Sequence, residues 1–130
     1  MKSKIFLILR LIAAAILLQT LYFKFSGAPE SIYIFSTLKV EPWGRWFAGA
    51  SELVASVLLL IPATQLFGAL MAAGIMVGAI LSHIAILGIV VQNDGGLLFS
   101  LACVVLVISG LIIYDQRLTL IKLINKFRGQ

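Results

Sequence analysis

Four long apolar segments constrain the fold of this chain more than any other feature. They run over residues 5–25, 43–61, 66–91 and 96–114. Each has about the 20 residues that an α-helix needs to cross the hydrocarbon of a bilayer, and none alternates apolar and polar residues as a transmembrane strand does. Only 12% of the residues are charged, whereas an ordinary soluble domain has about 25%. The sequence therefore predicts an all-α integral membrane protein that contacts the lipid bilayer.

The connections between the segments predict how the helices are arranged. The links 62–65 and 92–95 are short, so the helices that they join should be antiparallel neighbours. The link 26–42 is longer, and its Pro29 and Glu30 suit the first turn of a helix. We expect a four-transmembrane-helix antiparallel bundle with a short interfacial helix between the first and second spans.

The basic residues predict the orientation of the bundle. An even number of spans places both termini on one side, and the basic residues are concentrated at the two ends of the chain, which predicts cytoplasmic termini in a bacterial inner membrane. Residues 1–117 would form one membrane domain, and residues 118–130 a basic amphipathic tail on the inner leaflet. The seven bases of the terminal regions are Lys2, Lys4, Arg10, Arg117, Lys122, Lys126 and Arg128.

An alternative interpretation makes residues 1–28 a cleaved signal peptide. Its support is the basic start and the small residues at 26–28. Arg10 interrupts the apolar region, however, and Lys24 lies close to the supposed cleavage site, so the sequence favours a retained first span.

Several kinds of site are excluded by the residue inventory. The single histidine, His83, cannot supply both axial ligands of a haem, and too few His, Cys and acidic residues lie together for a metal site. The single cysteine, Cys103, cannot form an intrachain disulfide. No nucleotide-binding motif or basic patch with interleaved aromatic residues is present, so we expect no metal and no nucleic-acid partner.

Glu52 is the central residue of the candidate site, because an acid in the middle of a span needs a partner. Helical spacing places Glu52 on one face with Gly49 and Ala55, which allows another helix to approach closely. Arg45 lies on the same face, but two turns away, too far for a direct bond to the carboxylate. We count Arg45 as a supporting polar residue.

His83 and Arg10 compete as the partner of Glu52. At 1.5 Å per residue, Glu52 and His83 both lie about 12–14 Å below the outer boundary. Arg10 lies roughly 6 Å closer to the cytoplasm than Glu52, so its extended guanidinium could reach the Glu52 carboxylate. The sequence leaves open which partner binds the carboxylate. It also leaves open whether the three form a ligand site or a structural network.

Two further polar residues of the first span complete the candidate set. Lys24 lies near the outer boundary, where a lysine side chain ordinarily extends its ammonium to the headgroups. Gln19 could hydrogen-bond to a neighbouring helix. We expect both residues to support the site.

These features, taken in order, resemble the DoxX family of small four-helix membrane proteins. The resemblance covers residues from about Leu9 to Arg117. It rests on the segments "LRLIAAAILLQTLYFKF", "ASELVASVLLLIP", "GALMAAGIMVGAILSHI" and "NDGGLLFSLACVVLVISGLIIY". The family pattern directs attention to Arg10, Lys24, Glu52 and His83.

The resemblance implies a link to quinone-coupled redox systems. The chain would then be an accessory subunit that binds a quinone or another hydrophobic ligand and serves a redox partner protein. Because it has no cysteine pair and no cofactor motif, independent catalysis is not expected. Two alternatives stay open: a non-catalytic scaffold or assembly factor, and a small transporter component, which would need a homo- or hetero-oligomer to form a pore.

Overall fold

The computed structural model describes residues 2–91 and 94–129. Residues 92 and 93 of the predicted connection 92–95 lie outside the described residues. So do residues 1 and 130 and the side chain of Lys2, one of the bases behind the predicted orientation.

The described residues form helices and turns, with no strand among them, which confirms the predicted all-α class. Pro62–Thr64 forms a 3₁₀ turn and His83–Leu87 a π-helical turn. The α-helices are α1 (Lys2–Ser26), α2 (Pro29–Thr37), α3 (Trp43–Leu60), α4 (Gln65–Ser82), α5 (Leu97–Asp115) and α6 (Arg117–Phe127).

The four long helices pack around one apolar core. Helix α1 contacts α3 and α5, and α4 contacts the same two helices. Small side chains dominate the core, and they let the helix axes approach closely. Helix α1 supplies two of the core residues, so the segment that the signal-peptide alternative would remove is part of the packed structure. The core residues are Ala13, Leu17, Ala55, Leu59, Ala69, Ala72, Met76, Ala102, Val105, Ile108 and Ile112.

Helices α3 and α4 approach each other closely near the turn that joins them. Pro62 begins the 3₁₀ turn, and the Thr64 hydroxyl donates to the Leu58 carbonyl at 2.9 Å, which holds the turn against the end of α3. A Cβ on Gly68 would lie 2.6 Å from the backbone nitrogen of Leu59. Only glycine therefore fits this position.

Helix α2 lies across one end of the long helices. It begins at Pro29, with Glu30 in its first turn, and it contacts α1, α3 and the π-helical turn. Proline at the first helical position and an acid beside it favour a helix start here. This end of the structure is called the α2 end below.

Helix α4 is followed by an irregular segment before α5 begins. The helical path ends at Leu87, because Gly88 has φ 81° and ψ 165°, a conformation that glycine tolerates and other residues avoid. The expectation that this helix extends to Val91 is therefore wrong for its last residues. Val91 is nevertheless buried, 1% exposed, so the segment turns back onto the protein.

Within residues 2–91 and 94–129, three helical stretches are long and apolar enough to cross a membrane: Lys4–Ser26, Pro62–Leu87 and Leu97–Asp115. Helix α3 is not among them, because Arg45 and Glu52 lower its mean hydropathy. Large apolar side chains cover the outside of these stretches; Val107, for example, is 62% exposed. In water such a surface would be unstable, whereas in a bilayer it contacts lipid.

Candidate functional site

Glu52 lies in the interior and is bonded to α1 through both carboxylate oxygens. Its side chain is 2% exposed. The Lys24 ammonium lies 2.7 Å from Oε1, and the Thr20 hydroxyl donates to Oε2. Thr20 and Lys24 are four residues apart, so they project from the same face of α1 and reach the carboxylate together. An ion pair of this kind compensates part of the cost of burying the charge.

The small-residue face of α3 explains why α1 can approach the carboxylate. Gly49, Ala55 and Ser56 are buried around Glu52. A Cβ on Gly49 would lie only 3.0 Å from the ring of Phe25, so glycine leaves room for the last turn of α1. Gly49 therefore lets α1, the helix that carries Thr20 and Lys24, pack against α3 beside Glu52.

Arg45 fixes the end of α1 rather than contacting Glu52. Its Nε donates to the Glu41 carboxylate at 2.9 Å, its Nη2 lies 2.8 Å from the same carboxylate, and its Nη1 donates to the backbone carbonyl of Lys24. Charged hydrogen bonds of this kind are stronger than neutral ones. Arg45 thus holds the backbone of Lys24 at the end of α1.

Arg10 and Gln19 lie apart from the Glu52 pair. Arg10 is 6% exposed and donates through Nη1 to the Leu59 carbonyl at 3.1 Å, toward the other end of α3. Within the described residues its Nε has no hydrogen-bond partner. Gln19 is exposed on the outside of α1. Of the residues singled out in the sequence, Lys24 is therefore the one that pairs with Glu52.

His83 is held by the segment that follows α4. Its Nδ1 lies 2.9 Å from the carbonyl oxygen of Gly88, and its ring contacts Phe99 edge-on with centroids 5.7 Å apart. The side chain is 5% exposed. The positive φ of Gly88 turns its carbonyl toward the imidazole, so the glycine that ends the π-helical turn also orients His83.

One cavity of about 140 Å³ connects the Glu52 pair with His83. It lies at the α2 end, between α1, α2, α4 and α5. Most of its wall is apolar, and Ser31 and Glu30 of α2 line it together with the polar groups of the other helices. Its walls are formed by Ile16, Leu17, Thr20, Phe23, Lys24, Glu30, Ser31, Ile34, Phe35, Glu52, Met76, Ala79, His83, Leu98, Leu101 and Ala102. Arg10 does not line it.

Asp94 adds a negative charge beside His83. Partial burial raises the pKa of its carboxyl, but the backbone N–H groups of Val91, Gly96 and Leu98 and the electrostatic effect of His83 lower that pKa by more, to below the usual value of 3.8. The carboxylate accepts from the N–H of Gly96 at 2.8 Å and of Leu98 at 3.2 Å, next to the first residues of α5. It is therefore ionised at neutral pH.

Sequence reasoning assigned no ligand-site role to Thr20, Glu30, Ser31 or Asp94. For Thr20 the available signals were a polar side chain within a span and its four-residue spacing from Lys24. Asp94 belongs to the short link 92–95, but nothing in the sequence placed that link next to His83. No group of three or more His, Cys, Asp and Glu side chains that could hold a metal ion occurs in the described ranges 2–91 and 94–129.

Comparison with known proteins supports the sequence resemblance. A family model with the description DoxX matches residues 5–87, which is 83 of the 130 residues. The matched range includes α1 from residue 5, all of α2 to α4 and the π-helical turn, and so it contains Lys24, Glu52 and His83. No curated protein and no solved structure matches the chain.

Proposed function

Since the chain belongs to the DoxX family of membrane proteins, we propose that it is an accessory subunit of a quinone-linked redox system. In this role it holds a quinone or another hydrophobic ligand in the cavity beside Glu52. The observation that carries the proposal is that this single, mostly apolar cavity is lined by both the Lys24–Glu52 pair and His83.

The proposed topology has α1, α3, α4 and α5 crossing a bacterial inner membrane as an antiparallel bundle. Its support is that α3 is packed between α1 and α4, and that Glu52 is paired inside the protein, so α3 does not expose its charge to lipid. With cytoplasmic termini, α2 and the cavity lie near the outer surface. Helix α6 then places its bases on the inner leaflet, since its Lys122 and Lys126 are exposed beside the apolar Phe127.

The size and chemistry of the cavity suit one ring of a quinone headgroup. An apolar protein cavity of about 150 Å³ is enough for benzene, and the volume here is about 140 Å³. Ligand sites are typically apolar with a few polar groups that fix orientation. Here Lys24, Thr20 and His83 supply those groups, while the exposed side chain of Phe23 on the wall lies where an isoprenoid tail would leave toward lipid.

The accessory role follows from the inventory of redox groups in the sequence. One cysteine and the absence of any cofactor motif give the chain no electron carrier of its own. The electrons would therefore come from a partner protein, and this subunit would supply the quinone site and the groups that deliver protons to the reduced ring.

Filling the cavity tests the proposal. Ala79 lines the cavity on α4, and Ala79→Leu should weaken the binding of 2-decyl-1,4-benzoquinone by about tenfold or more, because the added carbons occupy the space of the ring. Binding is measured by titration of the purified full chain in lipid nanodiscs.

The matched control is Ala15→Leu, which adds the same carbons at an exposed position of α1 that does not line the cavity. It should leave the affinity unchanged. Equal affinities for wild type and Ala79→Leu, with the variant as thermally stable as wild type, would place any quinone elsewhere and refute the proposal.

A scaffold or assembly factor is the second candidate function. It is favoured by the fact that both oxygens of Glu52 already have protein partners without a ligand. In that case the Lys24–Glu52 pair would serve only to hold α1 against α3. Ala79→Leu would then leave the assembly of partner complexes intact.

A further inference from the structure

The hydrogen bond of His83 determines which nitrogen of the ring faces the cavity as an acceptor. The Gly88 carbonyl, 2.9 Å from Nδ1, can only accept, so Nδ1 must carry the hydrogen. In a neutral imidazole the other nitrogen, Nε2, is then a hydrogen-bond acceptor. Nε2 has no protein partner among residues 2–91 and 94–129, although the side chain is 95% buried and lines the cavity.

The opposite side of the cavity has a different hydrogen-bonding character. The Glu52 oxygens are occupied by Lys24 and Thr20. The Lys24 ammonium has three N–H bonds and one carboxylate partner, so it keeps donors for a ligand oxygen. A quinone carbonyl and a hydroquinone hydroxyl can both accept from it. This side therefore does not distinguish the two redox forms.

From this asymmetry we infer that the cavity selects the reduced, hydroxyl-bearing form of a single-ring ligand, which donates its hydroxyl hydrogen to Nε2 of His83. The inference rests on the proposed function and specifies its ligand. A hydroquinone satisfies this acceptor, whereas a quinone covers it with a second acceptor and leaves both unpaired, which costs free energy. The ionised Asp94 beside His83 favours the partial positive charge that the imidazole gains from this bond.

The test compares two ligands with the same heavy-atom skeleton, 2-decyl-1,4-benzoquinone and 2-decyl-1,4-hydroquinone. Each is titrated without oxygen against the wild-type full chain in nanodiscs. The hydroquinone should bind about tenfold more tightly, because it donates one hydrogen bond to Nε2 that the quinone cannot donate. The two-electron potential of the bound couple should then lie about 30 mV above that of the free couple.

The variant His83→Phe tests whether the preference for the hydroquinone depends on Nε2 of His83. It keeps a ring against Phe99 and removes the acceptor, so the ratio of affinities should fall to about one through weaker hydroquinone binding alone. Gln19→Ala, on the exposed face of α1, should retain the wild-type ratio.

The test distinguishes a failure of the inference from a failure of the proposed function. If wild type binds both forms equally, or the quinone more tightly, the inference fails and the proposed function stands. If it binds neither form, both fail. A tenfold preference that persists in His83→Phe would refute the assignment to Nε2, and the wild-type comparison remains decisive if this variant does not fold.

Discussion

Replacing Lys24 with methionine is expected to lower the free energy of unfolding by about 3 kcal/mol, because the Glu52 carboxylate then stays buried without its cation. Glu52 is 2% exposed and cannot reach solvent without opening the contact between α1 and α3. Lys24 itself is 18% exposed, which places the expected effect at the lower end for buried pairs. The measurement is reversible unfolding of the full chain in mixed detergent micelles.

Replacing both partners should restore most of this loss. In Lys24→Met/Glu52→Met no charge is left unpaired, and apolar side chains of similar size commonly replace a buried ion pair with little net cost. Lys122→Met, at an exposed position of α6, serves as the control and should change stability by less than about 0.5 kcal/mol. A single Lys24 variant as stable as this control would show that the pair contributes nothing to the packing of α1.

A methyl group at Gly68 is expected to cost about 2 kcal/mol, because two helix backbones meet there. The new Cβ would lie 2.6 Å from the Leu59 nitrogen and 2.9 Å from the Leu58 carbonyl carbon. Backbone atoms cannot rotate away as a side chain can, so α3 and α4 must separate along the hairpin. Thermal unfolding of Gly68→Ala in detergent measures the loss.

The matched control is Gly78→Ala on the same helix. A Cβ at Gly78 meets nothing within 4 Å, and alanine favours the helix over glycine by up to about 1 kcal/mol. Gly78→Ala should therefore be as stable as wild type or more stable. Similar melting temperatures for the two alanine variants would contradict the close approach of α3 and α4 at Gly68.

The helices were largely predictable because length and hydropathy determine them. The apolar segments 5–25 and 96–114 correspond to α1 and α5 within three residues at each end, and Pro29 correctly indicated the start of α2. The end of the helical path at Leu87 was not predictable, because the apolar run continues from Ile84 to Val91 without a polar residue. What ends the helical path is the backbone conformation of Gly88, and hydropathy carries no information about it.

For the candidate site, the sequence predicted the common level of Glu52 and His83, but it did not predict the partner of Glu52. Counting residues placed Glu52 and His83 at one level, and both line the same cavity. The partner of Glu52 depends on how far α1 is shifted along α3, which the sequence does not specify. In the structure, the position of α1 along α3 brings Lys24 and Thr20 to the Glu52 carboxylate. The same position places Arg10 at the Leu59 carbonyl. The Lys24 side chain therefore points inward and forms an ion pair, whereas from the sequence we expected its ammonium to extend to the headgroups.

The central claim is that a quinone-type ligand occupies the cavity beside Glu52, and photolabelling tests it most directly. A decyl quinone with an azide on its ring is irradiated with the full chain in nanodiscs, and the labelled peptides are identified by mass spectrometry. We predict labels on cavity-lining residues of α1 and α5, such as Thr20, Phe23, Leu98 and Leu101, and their loss in Ala79→Leu but not in Ala15→Leu. Labels confined to the apolar groove around Cys103 and Val107, unchanged by Ala79→Leu, would contradict the claim.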